Sequence, residues 1–167
     1  MPTKMFDLSI TVNGQQVSRQ IEGRMLLVEF LREELRLTGT HVGCDTTQCG
    51  CCVVHLNGRA VKSCTVLAAQ AHEAEVETIE SLSVSGDELH PMQQAFKDNH
   101  ALQCGYCTPG MIMSAIAMSE RHPSLTSEIV RQELEGNLCR CTGYLHIIDA
   151  IIEGSDNMRR AAAEAER

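Results

Sequence analysis

Eight of the nine cysteines in this 167-residue chain fall into two groups of four, and that grouping constrains the fold more than any other feature. The first group is Cys44, Cys49 and Cys52, with four and then two residues between them, closed by Cys64 after eleven more. The second is Cys104 and Cys107, two residues apart, followed after thirty-one intervening residues by Cys139 and Cys141 with one residue between them. Four thiolates complete the coordination of a [2Fe–2S] core, and they also suit tetrahedral zinc. Each group therefore predicts a chain folded back on a metal. The first ten residues, Met1 to Ile10, carry one Lys and neither an apolar run nor a small-residue cleavage site, so no secretory signal is expected. Nine cysteines in such a chain favour metal binding over disulfides, and the cytoplasm is the expected compartment.

The first spacing is that of plant-type ferredoxins, whereas zinc modules usually present two short Cys-x2-Cys knuckles. Gly43 and Gly50 flank ligand positions, which lets the backbone wrap closely and aim N–H groups at sulfur. Cys51 or Cys52 could be the third ligand by proximity. Spacing selects Cys52, and adjacent extended residues point to opposite sides, which makes Cys51 a small buried hydrophobe. The second set would suit either metal by spacing alone. Its context is a helix start after each cysteine pair, and helix N-termini carry positive partial charge. With Arg140 between two ligands, that charge favours a centre that grows more negative on reduction. Two clusters predict an electron relay. No Cys-x-His pair exists for a Rieske centre, so the seven histidines read as surface or packing residues. Phosphate-binding and hydrolase motifs are absent too, which predicts no substrate chemistry on this chain.

At 167 residues the chain can hold one ordinary domain or two small ones, each of the latter short of core alone and helped by a metal. No apolar run approaches the length of a membrane span. A net charge of -8 argues against nucleic acid, and 3% aromatic residues with no Trp leave few surfaces for stacking bases.

Phe6, Leu8, Ile10 and Val12 alternate onto one face, and Asn13-Gly14 supplies a type I′ turn, so Phe6–Val12 and Gln16–Ile21 predict a hairpin. Met25–Leu35 has helical spacing. A second hairpin is expected around Asn57-Gly58, from Cys52–Leu56 and Ala60–Ser63, and a further strand over Glu75–Ile79. Ser81–Gly86 reads as a linker, after which everything is helical. Helices are expected over Pro91–His100, from an N-cap at Thr108 to Arg121, over Thr126–Glu135 with Gly136-Asn137 as C-cap, and after Thr142-Gly143. The tail beyond Met158 is expected to fray. Cys107-Thr108 and Cys141-Thr142 each precede a helix, an internal echo that predicts the second site between two helix N-termini.

Three strings carry a family resemblance. Leu37-Thr-Gly-Thr-His-Val-Gly-Cys44-Asp-Thr-Thr-Gln-Cys49-Gly-Cys-Cys52 resembles the first-cluster loop of molybdenum hydroxylase iron–sulfur subunits. Gln103-Cys104-Gly-Tyr-Cys107-Thr-Pro-Gly-Met and Gly136-Asn-Leu-Cys139-Arg-Cys141-Thr-Gly-Tyr144 resemble the second-cluster signatures of the same family. The likeness runs from about Phe6 to about residue 155, with order and spacing in agreement. That family includes xanthine dehydrogenase, aldehyde oxidoreductases, aerobic carbon monoxide dehydrogenase and the quinoline enzyme. Cys51 departs from it, because that slot often holds a small residue other than cysteine.

The resemblance implies an α+β chain: a β-grasp ferredoxin-like domain over residues 1–80 and a four-helix [2Fe–2S]-binding domain over residues 81–167. It implies a large subunit holding molybdenum–pterin, a medium subunit holding FAD, and a dimer of such heterotrimers. Gln103 and Cys141 match positions that contact the pterin in the family. Electrons taken from an N-heterocycle, aldehyde or carbon monoxide would pass to the second cluster, then the first, then FAD. A dehydroxylating reductase would run the other way. A free-standing two-cluster ferredoxin and a zinc-stabilised interaction module are the readings from other classes. Gel filtration separates the first from a complex, and colour separates the second from a red-brown cluster protein.

Overall fold

Alternation and turn chemistry build the N-terminal sheet. In the computed structural model, which describes residues 4–83 and 88–167, β1 (Met5–Val12) and β2 (Gln15–Glu22) pair antiparallel around Asn13 and Gly14, both at positive φ. Leu8, Ile10 and Val12 are buried on one face, as their spacing requires. The second Asn-Gly turn joins β3 (Val53–Leu56) to β4 (Arg59–Lys62), and β5 (Glu75–Glu77) completes a five-stranded sheet. The order is β2-β1-β5-β3-β4, with β1 and β5 parallel and the other pairs antiparallel.

The helix expected over Met25–Leu35 is shorter and changes pitch. Here α1 runs over Leu27–Glu29 and continues as a π-helical turn over Phe30–Glu34, closed by Leu35 N–H donating to the Phe30 carbonyl at 3.1 Å. Leu27, Phe30 and Leu31 are fully buried against the sheet. Burial of each contributes about 1.5–3 kcal/mol over exposure, so packing rather than ideal helical hydrogen bonding sets this segment's path.

Four helices follow: α2 (Pro91–Asp98), α3 (Thr108–Arg121), α4 (Ser127–Glu133) and α5 (Leu145–Ala165). They enclose their own core of Met92, Phe96, Met111, Ile112, Met118, Val130, Ile147 and Ile151, separate from the core under the sheet. Two expectations are corrected. Thr108 is not an N-cap: Cys107 holds that position and Thr108 is the first helical residue. Gly136-Asn137 does not cap α4, which ends at Glu133 and passes through a 3-10 turn, Leu134–Gly136, into extended backbone at Asn137. The tail beyond Met158 is helical, α5 continuing to Ala165. Of the linker expected over Ser81–Gly86, residues 84–86 lie outside the described residues. The two layers meet where α3 runs along β3 and β4, with His55 Nε2 2.8 Å from the Met113 carbonyl oxygen.

Candidate metal centres

The loop after α1 and the short turns around β3 and β4 bring Cys44, Cys49, Cys52 and Cys64 together. Cys49 N–H points at Cys44 Sγ, 3.4 Å away. That amide, with those of Thr46 and Gln48, holds the Cys44 thiol down at about 6 against the cost of burial. Cys64 goes the other way: burial, then its neighbours Cys52, Cys44 and Cys49, push it up to about 12.

The second set forms at the helix starts, as the Cys-Thr echo predicts. Cys107 caps α3, and the turn from Cys139 to Tyr144 leads into α5. Cys104 Sγ and Cys141 Sγ are 3.5 Å apart on the surface, while Cys107 and Cys139 lie deeper. Burial pushes Cys107 up to about 12, with the Cys139 thiol adding to it. Burial would raise Cys139 as well, yet the Thr142 hydroxyl and amide, the Cys141 amide and the Cys107 thiol together outweigh it and lower its pKa. Gln103 is exposed beside Cys104, and Arg140 is exposed between Cys139 and Cys141.

Among the described residues no three His, Cys, Asp or Glu side chains converge on one ion-sized point. The sulfurs are instead neighbours in twos, Cys44 with Cys49, Cys52 with Cys64, Cys104 with Cys141, and Cys107 with Cys139, and Cys51 also meets Cys49. A binuclear core takes two thiolates per iron, so the arrangement fits it. Amide and hydroxyl donors aimed at sulfur fit as well. Beside Cys107, Thr108 Oγ1 is buried with no hydrogen-bond partner among the described residues, which leaves a donor for a sulfur acceptor.

Cys51 is buried as expected, but not for the reason expected. Residues 50–53 close a turn, with Val53 N–H donating to the Gly50 carbonyl at 3.3 Å, so alternation of extended residues does not operate there. The Cys51 thiol is buried and raised to about 12 by burial and by Cys49, Cys52 and Cys44. The Cys51 backbone lies against Gly110 of α3, the helix that Cys107 starts.

Contacts that tie the sets together escaped sequence reasoning. Leu138 N–H donates to the Cys49 carbonyl at 2.8 Å. Asn137 is buried; its amide donates to the carbonyls of Gly50 at 3.3 Å and Gly110 at 3.4 Å, and its Oδ1 accepts from Ser114 Oγ at 3.1 Å. Tyr106 OH donates to the Val42 carbonyl at 2.8 Å, and the Tyr106 ring stacks on His41 at 4.6 Å. Gly110 makes the approach: a Cβ there would sit 2.2 Å from the Gly50 oxygen. No local pattern signals these contacts, because Asn137 and Gly50 are 87 residues apart.

A cysteine-rich loop on a mixed sheet, hydrogen-bonded to a second thiol quartet at two helix starts, defines a two-site protein of the ferredoxin class. Residues 10–83 match the family described as 2Fe-2S iron-sulfur cluster binding domain, and residues 78–152 match the [2Fe-2S] binding domain. The chain is 46% identical to caffeine dehydrogenase subunit gamma from Pseudomonas sp. (strain CBB1), over 94% of this chain and 95% of that one. It is 45% identical to 6-hydroxypseudooxynicotine dehydrogenase complex subunit beta from Paenarthrobacter nicotinovorans, over 89% and 92% of the two chains. A chain of quinoline 2-oxidoreductase from Pseudomonas putida 86 superposes with a TM-score of 0.88 at 42% identity, over 93% of this chain and 97% of its own. The chain belongs to the iron–sulfur small subunits of the molybdenum hydroxylases, which are subunits of multi-subunit oxidoreductases. No helix among the described residues is long and apolar enough to cross a membrane.

Proposed function

We propose that this chain is the electron-transfer subunit of a cytoplasmic molybdenum hydroxylase, working between a large molybdenum–pterin subunit and a medium FAD subunit in a dimer of heterotrimers. The observation that carries it is the pair of thiol quartets joined by Leu138–Cys49 and Asn137–Gly50 hydrogen bonds. Cys44, Cys49, Cys52 and Cys64 hold one [2Fe–2S] cluster on a β-grasp domain. Cys104, Cys107, Cys139 and Cys141 hold the other on the four-helix domain. When bound, the clusters supply one-electron carriage between the pterin side and the flavin side.

The chain's own residues organise that task. Cys104 and Cys141, both exposed, present the second site outward, with Gln103 beside them to meet the pterin. Leu138 and Leu145, exposed at 52% and 65%, flank an apolar cleft that includes Tyr144 and Ile148 and suits a subunit contact. Burial of Cys49, Cys51 and Cys52 under α3 keeps water away from the first site on its inner side. Caffeine and quinoline, named for the relatives, are nitrogen heterocycles, and we assign the complex a substrate of that class.

The test uses the complex co-purified on this chain. In Cys139→Ala complexes, substrate is expected to reduce molybdenum in a single turnover while FAD stays oxidised. Normal flavin reduction in a variant shown by metal analysis to lack that cluster would overturn the proposed order.

A further inference from the structure

Backbone amides reach sulfur at both sites, and the second adds a side-chain hydroxyl. At the first, Cys44 Sγ takes backbone amides, the Cys49 N–H at 3.4 Å with those of Thr46 and Gln48. No side-chain replacement deletes them. At the second, Cys139 Sγ lies 3.2 Å from Thr142 Oγ1 and 3.4 Å from the Thr142 amide nitrogen. One of those two donors belongs to a side chain.

The direction of the hydroxyl bond follows from its surroundings. Thr142 Oγ1 accepts the Tyr144 N–H at 3.2 Å, which occupies a lone pair and leaves the hydroxyl proton to be given elsewhere. A cysteine that binds iron has lost its own proton, so the bond runs from Thr142 to sulfur. The turn is held in place around it. Tyr144 sits at φ 71, a left-handed conformation unfavourable for a residue with a side chain. Its hydroxyl accepts the Cys139 N–H at 2.8 Å and donates to the Asn137 carbonyl at 3.4 Å, which fixes both ends of the turn.

We infer that Thr142 sets the reduction potential of the C-terminal cluster by donating an O–H···S hydrogen bond to Cys139. This rests on the reading of Cys139 as an iron ligand. An added electron increases the negative charge shared by the sulfurs, and a donor stabilises the more negative state more strongly. Removing the hydroxyl therefore lowers the potential of that cluster. The first cluster, served by backbone amides, is unaffected.

The experiment compares Thr142→Val and Thr142→Ser in the assembled complex, by redox titration followed by EPR with the two signals resolved. The C-terminal signal is the one lost in Cys139→Ala. Thr142→Val is expected to keep full iron and sulfide while its C-terminal signal titrates lower. The reduced-to-oxidised ratio at a fixed potential should fall about tenfold, equivalent to about 59 mV for one electron. Thr142→Ser should return to the parent value, and the other signal should stay put throughout. If the valine chain does not take up iron, Thr142→Ala carries the same comparison. An unmoved C-terminal potential in a fully loaded hydroxyl-free variant overturns the inference, as does a serine variant that shifts as far as valine. Retention of both signals and all iron in Cys139→Ala would instead remove the ligand reading beneath it.

Discussion

Gly110→Ala pits two opposed effects against each other, and the structure decides which wins. In an exposed helix interior, alanine improves on glycine by about 0.8–1.0 kcal/mol. At this position in α3 the new Cβ would lie 2.2 Å from the Gly50 carbonyl oxygen, 2.9 Å from Cys51 Cα and 3.0 Å from the Cys51 carbonyl carbon. All three are backbone atoms, so no rotamer change relieves the overlap. The helix and the cysteine loop must part by roughly 1 Å to reach ordinary contact. Overpacking of this kind costs about 1–3 kcal/mol. Parting also stretches the Asn137–Gly50 and Leu138–Cys49 hydrogen bonds, each contributing about 0.5–1.5 kcal/mol. The net expectation is a loss of about 2–4 kcal/mol. With a guanidinium slope of about 4 kcal/mol per molar, the unfolding midpoint of the cluster-loaded chain should drop by about 0.5–1 M. Far-UV circular dichroism and visible absorbance, recorded on the same samples, measure it. A midpoint equal to or above the parent's would refute the close approach of α3 to the first cysteine loop.

Two further outcomes concern the thiols. The chain should bind about four iron and four labile sulfides; Cys51→Ala should keep them all, while Cys52→Ala should lose one cluster. Iron loss in Cys51→Ala with retention in Cys52→Ala would reassign the third ligand. In the metal-free chain, Cys44 at about 6 is mostly thiolate at neutral pH, whereas Cys51, Cys64 and Cys107 at about 12 are almost wholly protonated. Iodoacetamide at pH 7 should therefore alkylate Cys44 before Cys51, Cys64 and Cys107, read by peptide mass mapping, and equal labelling of Cys51 would contradict the amide cradle.

Much of the chain was legible residue by residue. Asn13-Gly14 and Asn57-Gly58 marked their turns, alternation marked β1, and the cysteine spacings with the Cys-Thr echo marked two sites of different kinds. Those features are local: they depend on φ preference, on period and on ligand spacing within one segment. Tertiary structure overrode the rest wherever a long-range contact competed with a local preference. Met25–Leu35 reads as an α-helix, yet burial of Phe30 and Leu31 accompanies a π turn. Asn137 reads as a helix cap, yet its amide is used to join Gly50 and Gly110.

Sequence by itself determined which cysteines could form each quartet, because ligand spacing is a property of the chain. Only the folded molecule decided how the quartets relate: that Leu138 bonds to Cys49, that Gly110 admits the Gly50 carbonyl, and that Thr142 faces the Cys139 sulfur. The first two depend on packing between residues far apart in sequence, and the third on a turn strained at Tyr144 and held by hydrogen bonds from both ends. The first two exist only once both cores have closed and fixed the distance between their loops, whereas the third is local, made by hydrogen bonds within residues 137–144.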